Sequence, residues 1–272
     1  MRVHILLARA ADTAVVIRRG PEKIGCVLGW DRAGDRIEVG QWLKARIHER
    51  RCDLSPDGRH LLYFATDYRG VRGDFCGWQA ISRAPYLKAL GFWPMTDNAY
   101  GGGQFDSNES YWLRRVSDPH ALDRDATDLR RVAPSAAALD NRGYFELYDL
   151  RLQRDGWTLV DSQHTGRFAQ ADFRKSTGGP WSLHKSVYSG FGRRKGDPRR
   201  AVNEDHALLH RDGRAIPLPD WSWADIDAAR ERLVWVEHGR LMAAPIADAG
   251  LGTARELYDF NPLAWQSLQA PY

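Results

Sequence analysis

Asp53, Asp172 and Asp225 are the residues of this chain best placed by type and spacing to do chemistry. Asp53 opens the segment Asp53-Leu-Ser-Pro-Asp-Gly-Arg-His-Leu-Leu-Tyr-Phe64, and Asp225 opens a degraded copy, Asp225-Ile-Asp-Ala-Ala-Arg-Glu-Arg-Leu-Val-Trp-Val236. Asp172 sits in Ala171-Asp-Phe173, which matches Ala224-Asp-Ile226. If such carboxylates converge they can act as acid, base or nucleophile in glycoside hydrolysis, a reaction needing two carboxyls about 5 to 10 Å apart. Glu204 or Asp205 could contribute from a rim loop. The simpler employment is structural, because aspartates near turns accept backbone N–H groups.

Other constellations are weaker. Arg193, Arg194, Lys195, Arg199 and Arg200 form a basic run beside glycines 190, 192 and 196, with Arg174, Lys175 and Lys185 upstream. Such a loop can meet phosphate oxygens, and Trp181, Tyr188 and Phe191 could stack on bases. Asp197 interrupts the run and the net charge is only +4, so a solvated loop is the simplest reading, followed by an interaction loop for a protein and then one for nucleic acid. His206 and His210 are four apart, but on a strand that separation is about 13 Å, too far for one ion. No metal is expected. Ser189 and His184 lack the Gly-x-Ser-x-Gly turn of a serine hydrolase. Glycines 101–103 lack the helix start of a phosphate loop, and no cofactor is expected.

The elements that must position these groups are short strands. Alternating or apolar runs at residues 3–8, 13–18, 24–30, 36–39, 42–47, 50–54, 60–65, 78–83, 104–105 and 110–115 are punctuated by turns such as Ser55-Pro-Asp-Gly58. Around residues 85–94 a helical turn at 87–90 competes with a strand at Phe92 and Trp93. Residues 117–141 are rich in Asp, Arg and Ala and predict a polar, partly helical insertion. A second echo pairs Tyr148-Asp-Leu-Arg-Leu-Gln-Arg-Asp-Gly-Trp157 with Asp205-His-Ala-Leu-Leu-His-Arg-Asp-Gly-Arg214, predicting hairpin turns at both Arg-Asp-Gly triplets. A lone hairpin cannot bury its apolar face, so distant copies imply stacked units.

Ser55-Pro-Asp-Gly-Arg-His-Leu-Leu-Tyr-Phe64 resembles the repeat of the TolB-like, WD40-like (PD40) β-propellers. The resemblance implies an all-β fold: one small propeller over residues 1–272, with five short antiparallel blades and residues 257–265 as an outer strand of the first or last blade. It also implies that the strand before the Ser-Pro-Asp-Gly turn lines a central channel. Arg51 and Asp53 would then share one channel wall, with Trp223 and Asp225 at the matching places on another, and with Asp172 they form the expected site for a small polar ligand. On such an architecture the favoured function is noncatalytic recognition or scaffolding of a protein or small polar ligand through rim loops at 66–75, 97–106 and 191–200, with a glycoside hydrolase using the inner carboxylates and a nucleic-acid-binding module using the basic loop as alternatives.

Composition bounds these expectations. The chain has 272 residues, 43% of them hydrophobic, and its 11 Trp, 10 Tyr and 9 Phe are spread along its length, as packing residues are. Cys26, Cys52 and Cys76 are odd in number and lack CxxC spacing, which predicts free thiols in a reducing compartment, the cytoplasm. The N-terminal apolar run is too short for a secretory signal, and no stretch is apolar enough to span a bilayer.

Overall fold

The computed structural model describes residues 1–20, 24–67, 76–96, 101–114, 128–134, 146–165, 168–190 and 203–272. These residues are predominantly β-strand with one short α-helix, an all-β fold. Contacts divide the chain into two compact units, residues 1–151 with 263–272, and residues 152–262.

In the first unit, β1 (Arg2–Leu7), β2 (Thr13–Arg19), β3 (Gly25–Asp31) and β4 (Arg36–Leu43) form an antiparallel meander. Asp31 closes its last turn by accepting Ala33 N–H and the Arg36 guanidinium. The second sheet holds β5 (Arg46–Ile47), β6 (Asp53–Leu54), β7 (His60–Thr66), β8 (Gly77–Arg83) and β9 (Ala89–Met95). The strand competing at 85–94 is therefore the one that forms. The third sheet holds β10 (Gly103–Phe105) and β11 (Ser110–Leu113), with β12 (Arg130–Arg131) parallel to β11. Of the expected insertion at 117–141, residues 117–127 and 135–141 lie outside the described residues. The described part supplies a strand.

Strands such as β2, β3, β7 and β8 are buried along nearly their whole length, so both of their faces must be covered. Leu6, Val15, Ile17 and Val27 of the first sheet pack with Ile47, Leu54, Leu61 and Tyr63 of the second. Leu62, Ile81 and Trp93 of the second pack with Phe105, Tyr111 and Leu113 of the third. Each such side chain contributes about 1.5–3 kcal/mol on full burial. Close approach needs glycine: a Cβ on Gly40 would lie 1.9 Å from the Pro85 carbonyl oxygen.

Two expectations are corrected. Residues 50–54 are not one strand: Glu49–Arg51 is a 3-10 turn, with Arg51 N–H bonded to His48 O at 2.8 Å, and only Asp53–Leu54 pairs with β7. The reason is that β7 pairs with both β5 and β6, so the chain between them must loop out. Arg51 and Asp53 consequently do not share a strand face. Likewise, Tyr148–Trp157 is no hairpin. Helix α1 (Glu146–Arg154) occupies it and ends where Trp157 N–H bonds Leu152 O and Gly156 N–H bonds Gln153 O. Gly156, at φ +90°, supplies the left-handed residue that this helix stop requires.

In the second unit, β13 (Thr158–Thr165), β14 (Phe168–Ser176), β15 (Trp181–Gly190), β16 (Asn203–His210) and β17 (Ala215–Leu218) form one antiparallel sheet. Here the second Arg-Asp-Gly triplet does make a hairpin turn, with Gly213 at φ +94°. The last sheet holds β18 (Trp221–Asp227), β19 (Arg232–Glu237), β20 (Arg240–Ala247), β21 (Gly250–Leu251) and β22 (Arg255–Asp259), the last pairing with β20. Residues 263–272 return to the first unit: Trp265 lies 6.0 Å from Trp42 with its ring tilted by 56°, and Tyr272 Oη donates to Lys88 O and accepts the Arg83 N–H.

Two outcomes test this packing. Gly40→Ala should destabilise the protein by about 3 kcal/mol in urea titration, because backbone cannot yield to the new methyl. His48, stacked 4.8 Å from Phe64 and bonded to Thr66, is held down to about 2 by burial and then by Arg51, Arg46 and Arg19. Its stabilising neutrality is complete above the unfolded value near 6.5 and is lost as pH falls below it. Between about pH 7.5 and pH 5, stability should therefore drop by about 2 kcal/mol through this residue, a slope that His48→Gln removes.

Candidate functional site

Asp53 is 1% exposed, and its Oδ2 accepts the Phe105 N–H at 2.7 Å, tying the second sheet to the third. Arg51 is buried beneath the Phe64 ring, 5.5 Å from its centre. The strands β1, β6 and β10, the first strands of β1–β4 and β10–β12 and a first-position strand of the second sheet, stand beside one another. The ground next to Asp53 is filled by the chain itself. Arg151 of α1 donates to the Cys52 and Glu49 carbonyls and, at 2.8 Å, to His4 Nε2, while Gln104 Nε2 donates to Leu147 O at 2.7 Å. A guanidinium only donates, so His4 Nε2 is the accepting nitrogen and its proton is on Nδ1.

Asp172, Trp223 and Asp225 stand in the second unit. Trp223 is buried. Asp225 pairs with Lys175 Nζ at 2.7 Å and accepts Ile226 N–H at 2.7 Å. Asp225 holds the place in its hairpin that Asp53 holds in the other, since Asp53 pairs with Leu62 and Asp225 with Val234. Asp172 does not share that place. It lies on the second strand of its sheet, between Asp161 and Ser186, and is held by Ser186 Oγ and Gln170 Nε2. The match of Ala171-Asp-Phe173 with Ala224-Asp-Ile226 is thus one of residue type alone. The basic residues Arg193, Arg194, Lys195, Arg199 and Arg200, between β15 and β16, lie outside the described residues, as do 68–75 and 97–100 of the other proposed loops.

Two features escaped the sequence. One is a buried ionic cluster: Lys185 Nζ lies 3.3 Å from Glu204 Oε2, which is 3.5 Å from His206 Nε2, all three side chains being shielded from water. His206 Nδ1 donates to Trp221 O at 3.0 Å. Burial holds its imidazole below the ordinary range, and Glu204 pulls the other way. The Trp157 ring lies 4.6 Å from Lys185 Nζ and 5.6 Å from Lys175 Nζ. The available signal was alternation, since Glu204, His206 and Leu208 share one face and Leu208 marks it as the core face.

The other is the opposite face of the same sheet. Gln170, Asp172, Ser186, Tyr188 and Asn203 are half-buried and Asp205 is exposed, whereas Ala171, Phe173, Lys185 and Val187 between them are buried. The register sets Asp161, Asp172, Ser186 and Asp205 in one row across four strands, beside a row of Gln163, Gln170, Tyr188 and Asn203. Burial first, then the neighbouring acids against the Ser186 bond, hold the Tyr188 phenol above its ordinary value. Among the described residues no group of three or more His, Cys, Asp or Glu is arranged to hold a metal ion.

The ionic cluster yields a double-variant test. Glu204→Gln should cost about 3–5 kcal/mol, since Lys185 stays buried without its carboxylate. Replacing both, Glu204→Leu with Lys185→Met, should cost less than about 1 kcal/mol by urea denaturation, because the unmatched charge goes too.

No family model matches the chain, and no curated protein matches it. Among solved structures it is similar to the AtxE2 isopeptidase, at 14% identity and a TM-score of 0.34 over 96% of this chain and 53% of that one. An uncharacterized protein from Listeria monocytogenes aligns at 9% identity and a TM-score of 0.26, over 94% of this chain and 65% of that one. TolB from Acinetobacter baumannii aligns at 13% identity and a TM-score of 0.26, over 93% and 56%. The chain thus spans about half the length of the isopeptidase chain it matches. Likenesses this distant assign neither activity nor partner.

Proposed function

We propose that the protein is a noncatalytic recognition module of β-propeller type that binds a protein or a small polar ligand. The observation that carries this is the solvent-facing side of β14–β16, where polar groups are displayed in fixed rows by a sheet whose other side is buried. Such a face offers preset hydrogen-bond donors and acceptors, and rigidity lowers the entropy cost of binding. The propeller reading is supported by sheets built from consecutive strands, and in the first unit by the side-by-side first strands β1, β6 and β10.

Acid–base chemistry gains no support of its own. Asp53 is sealed from water, Asp225 is tied to Lys175, and Asp172 is bonded by Ser186 and Gln170. A carboxyl that must exchange a proton with substrate needs access to it. No described helix is long and apolar enough to cross a membrane. Free thiols at Cys26, Cys52 and Cys76 suit a reducing compartment such as the cytoplasm.

A photo-crosslinking residue installed at Gln170 should give discrete adducts in native lysate, and Asp205→Lys should lower their yield about tenfold by reversing the charge of the row. The same probe at exposed Ala254 should give none of these adducts. Equal capture at both positions would remove this face as the recognition surface.

A further inference from the structure

Among the described residues β13 is the outermost strand of its sheet, paired with β14 on one side only. Residues 158–163 are all exposed, including Leu159 at 37% and Val160 at 53%. An edge of this kind carries N–H and C=O groups turned out of the ladder and is a template for another strand. At Ser162 the backbone N–H donates to the Asp161 carboxylate at 2.8 Å, which sets that carboxylate beside the edge backbone.

The two faces of this edge differ in chemistry. Asp161 stands opposite Asp172 at the end of the acidic row that runs on to Asp205. Leu159 stands opposite Phe173 on the core face, and the bulge between Leu159 and Asp161 adds the exposed Val160. Two aspartates directly opposite each other repel, and a cation placed next in the row relieves that repulsion. A strand laid along β13 would therefore want a basic side chain beside Asp161 and an apolar one beside Leu159 and Val160. Side chains alternate along a strand, so one extended segment meets both demands.

We propose that β13 binds an extended segment of a partner protein in which basic and apolar residues alternate, added as a sixth strand to this sheet. This rests on the recognition role proposed above and names its partner class. Main-chain bonds to the edge supply affinity, and the Asp161 row with the Leu159 and Val160 pair supplies selection. A second copy of the same strand is disfavoured where it would set Asp161 against its own counterpart.

The probe is a fluorescein-labelled eight-residue peptide alternating lysine with valine, titrated into the full-length protein by fluorescence anisotropy. Saturable binding is expected, weakened about tenfold or more when alternate peptide amides are N-methylated, since those bonds are then lost. Exchanging lysine for glutamate should weaken it about tenfold, and Asp161→Lys should invert that preference. Ser162→Pro should abolish binding, because it removes a backbone N–H from the edge strand. Asp161→Lys keeps the test decisive should the proline variant fold poorly. Indifference to N-methylation, or to the Asp161 reversal, would overturn the proposal. So would a concentration-dependent dimer lost in Ser162→Pro, which would assign the edge to a second copy. Adducts at Gln170 that persist in Ser162→Pro would also overturn strand addition while leaving the recognition role intact.

Discussion

A strand buried on both faces must be covered twice, and this requirement shapes the molecule more than any single contact. Strands β2, β3, β7 and β8 are buried on both sides, and the second sheet meets this with the first sheet on one flank and the third on the other. Leu61 and Leu62 show the consequence at one step of one strand, the first packing toward the first sheet and the second toward the third. Backbone groups displaced by such stacking still need partners, which is why Asp53 is spent on the Phe105 N–H. The sheet β13–β17 departs from this rule. Its strands alternate, so one face is covered and the other is displayed, and the displayed face draws its meaning from that contrast.

Hairpin geometry was legible because its signals are local. The copies beginning at Asp53 and Asp225 differ in almost every turn residue, yet they keep the same register: Leu54 pairs with Leu61, and Ile226 pairs with Leu233. Alternation of apolar residues survives substitution where a motif does not. The Arg-Asp-Gly triplets misled for an equally physical reason. Both need glycine in the left-handed region, but a helix stop and a hairpin turn share that need, so Gly156 and Gly213 carry no information about which is present. Residues 50–54 misled because strand propensity cannot see that β7 recruits two separate partners.

Aspartate identity alone did not sort structure from display either. Asp53 and Asp225 occupy matching hairpin positions and are both engaged, one by a backbone N–H and one by a lysine. Asp172, grouped with them by its neighbours in sequence, joins a half-buried polar row on the face opposite to buried Ala171 and Phe173. Register decides these fates, and register is set by pairing across distant segments. The ionic cluster of Lys185, Glu204 and His206 shows the same limit from the inside. Three polar residues on a core face cost desolvation that their mutual attraction scarcely repays. Only a sheet arranged with Glu204, His206 and Lys185 on one side satisfies them, and that same arrangement turns Asp205, Ser186 and Tyr188 outward.

An exposed edge beside this face would ordinarily invite indiscriminate pairing. Proteins commonly blunt such edges with a bulge or a charge, and β13 carries both in the bulge at Leu159 and in Asp161. A charge chosen only for protection could have either sign, and a lysine here would have neutralised Asp172. The acid instead deepens the repulsion along the row, which costs stability within the fold. That cost is offset by a segment bringing positive charge, and it rises for a segment bringing more acid. The same carboxylate thus rejects self-pairing in the matched register and favours a basic strand, and specificity arises from a difference between two pairings.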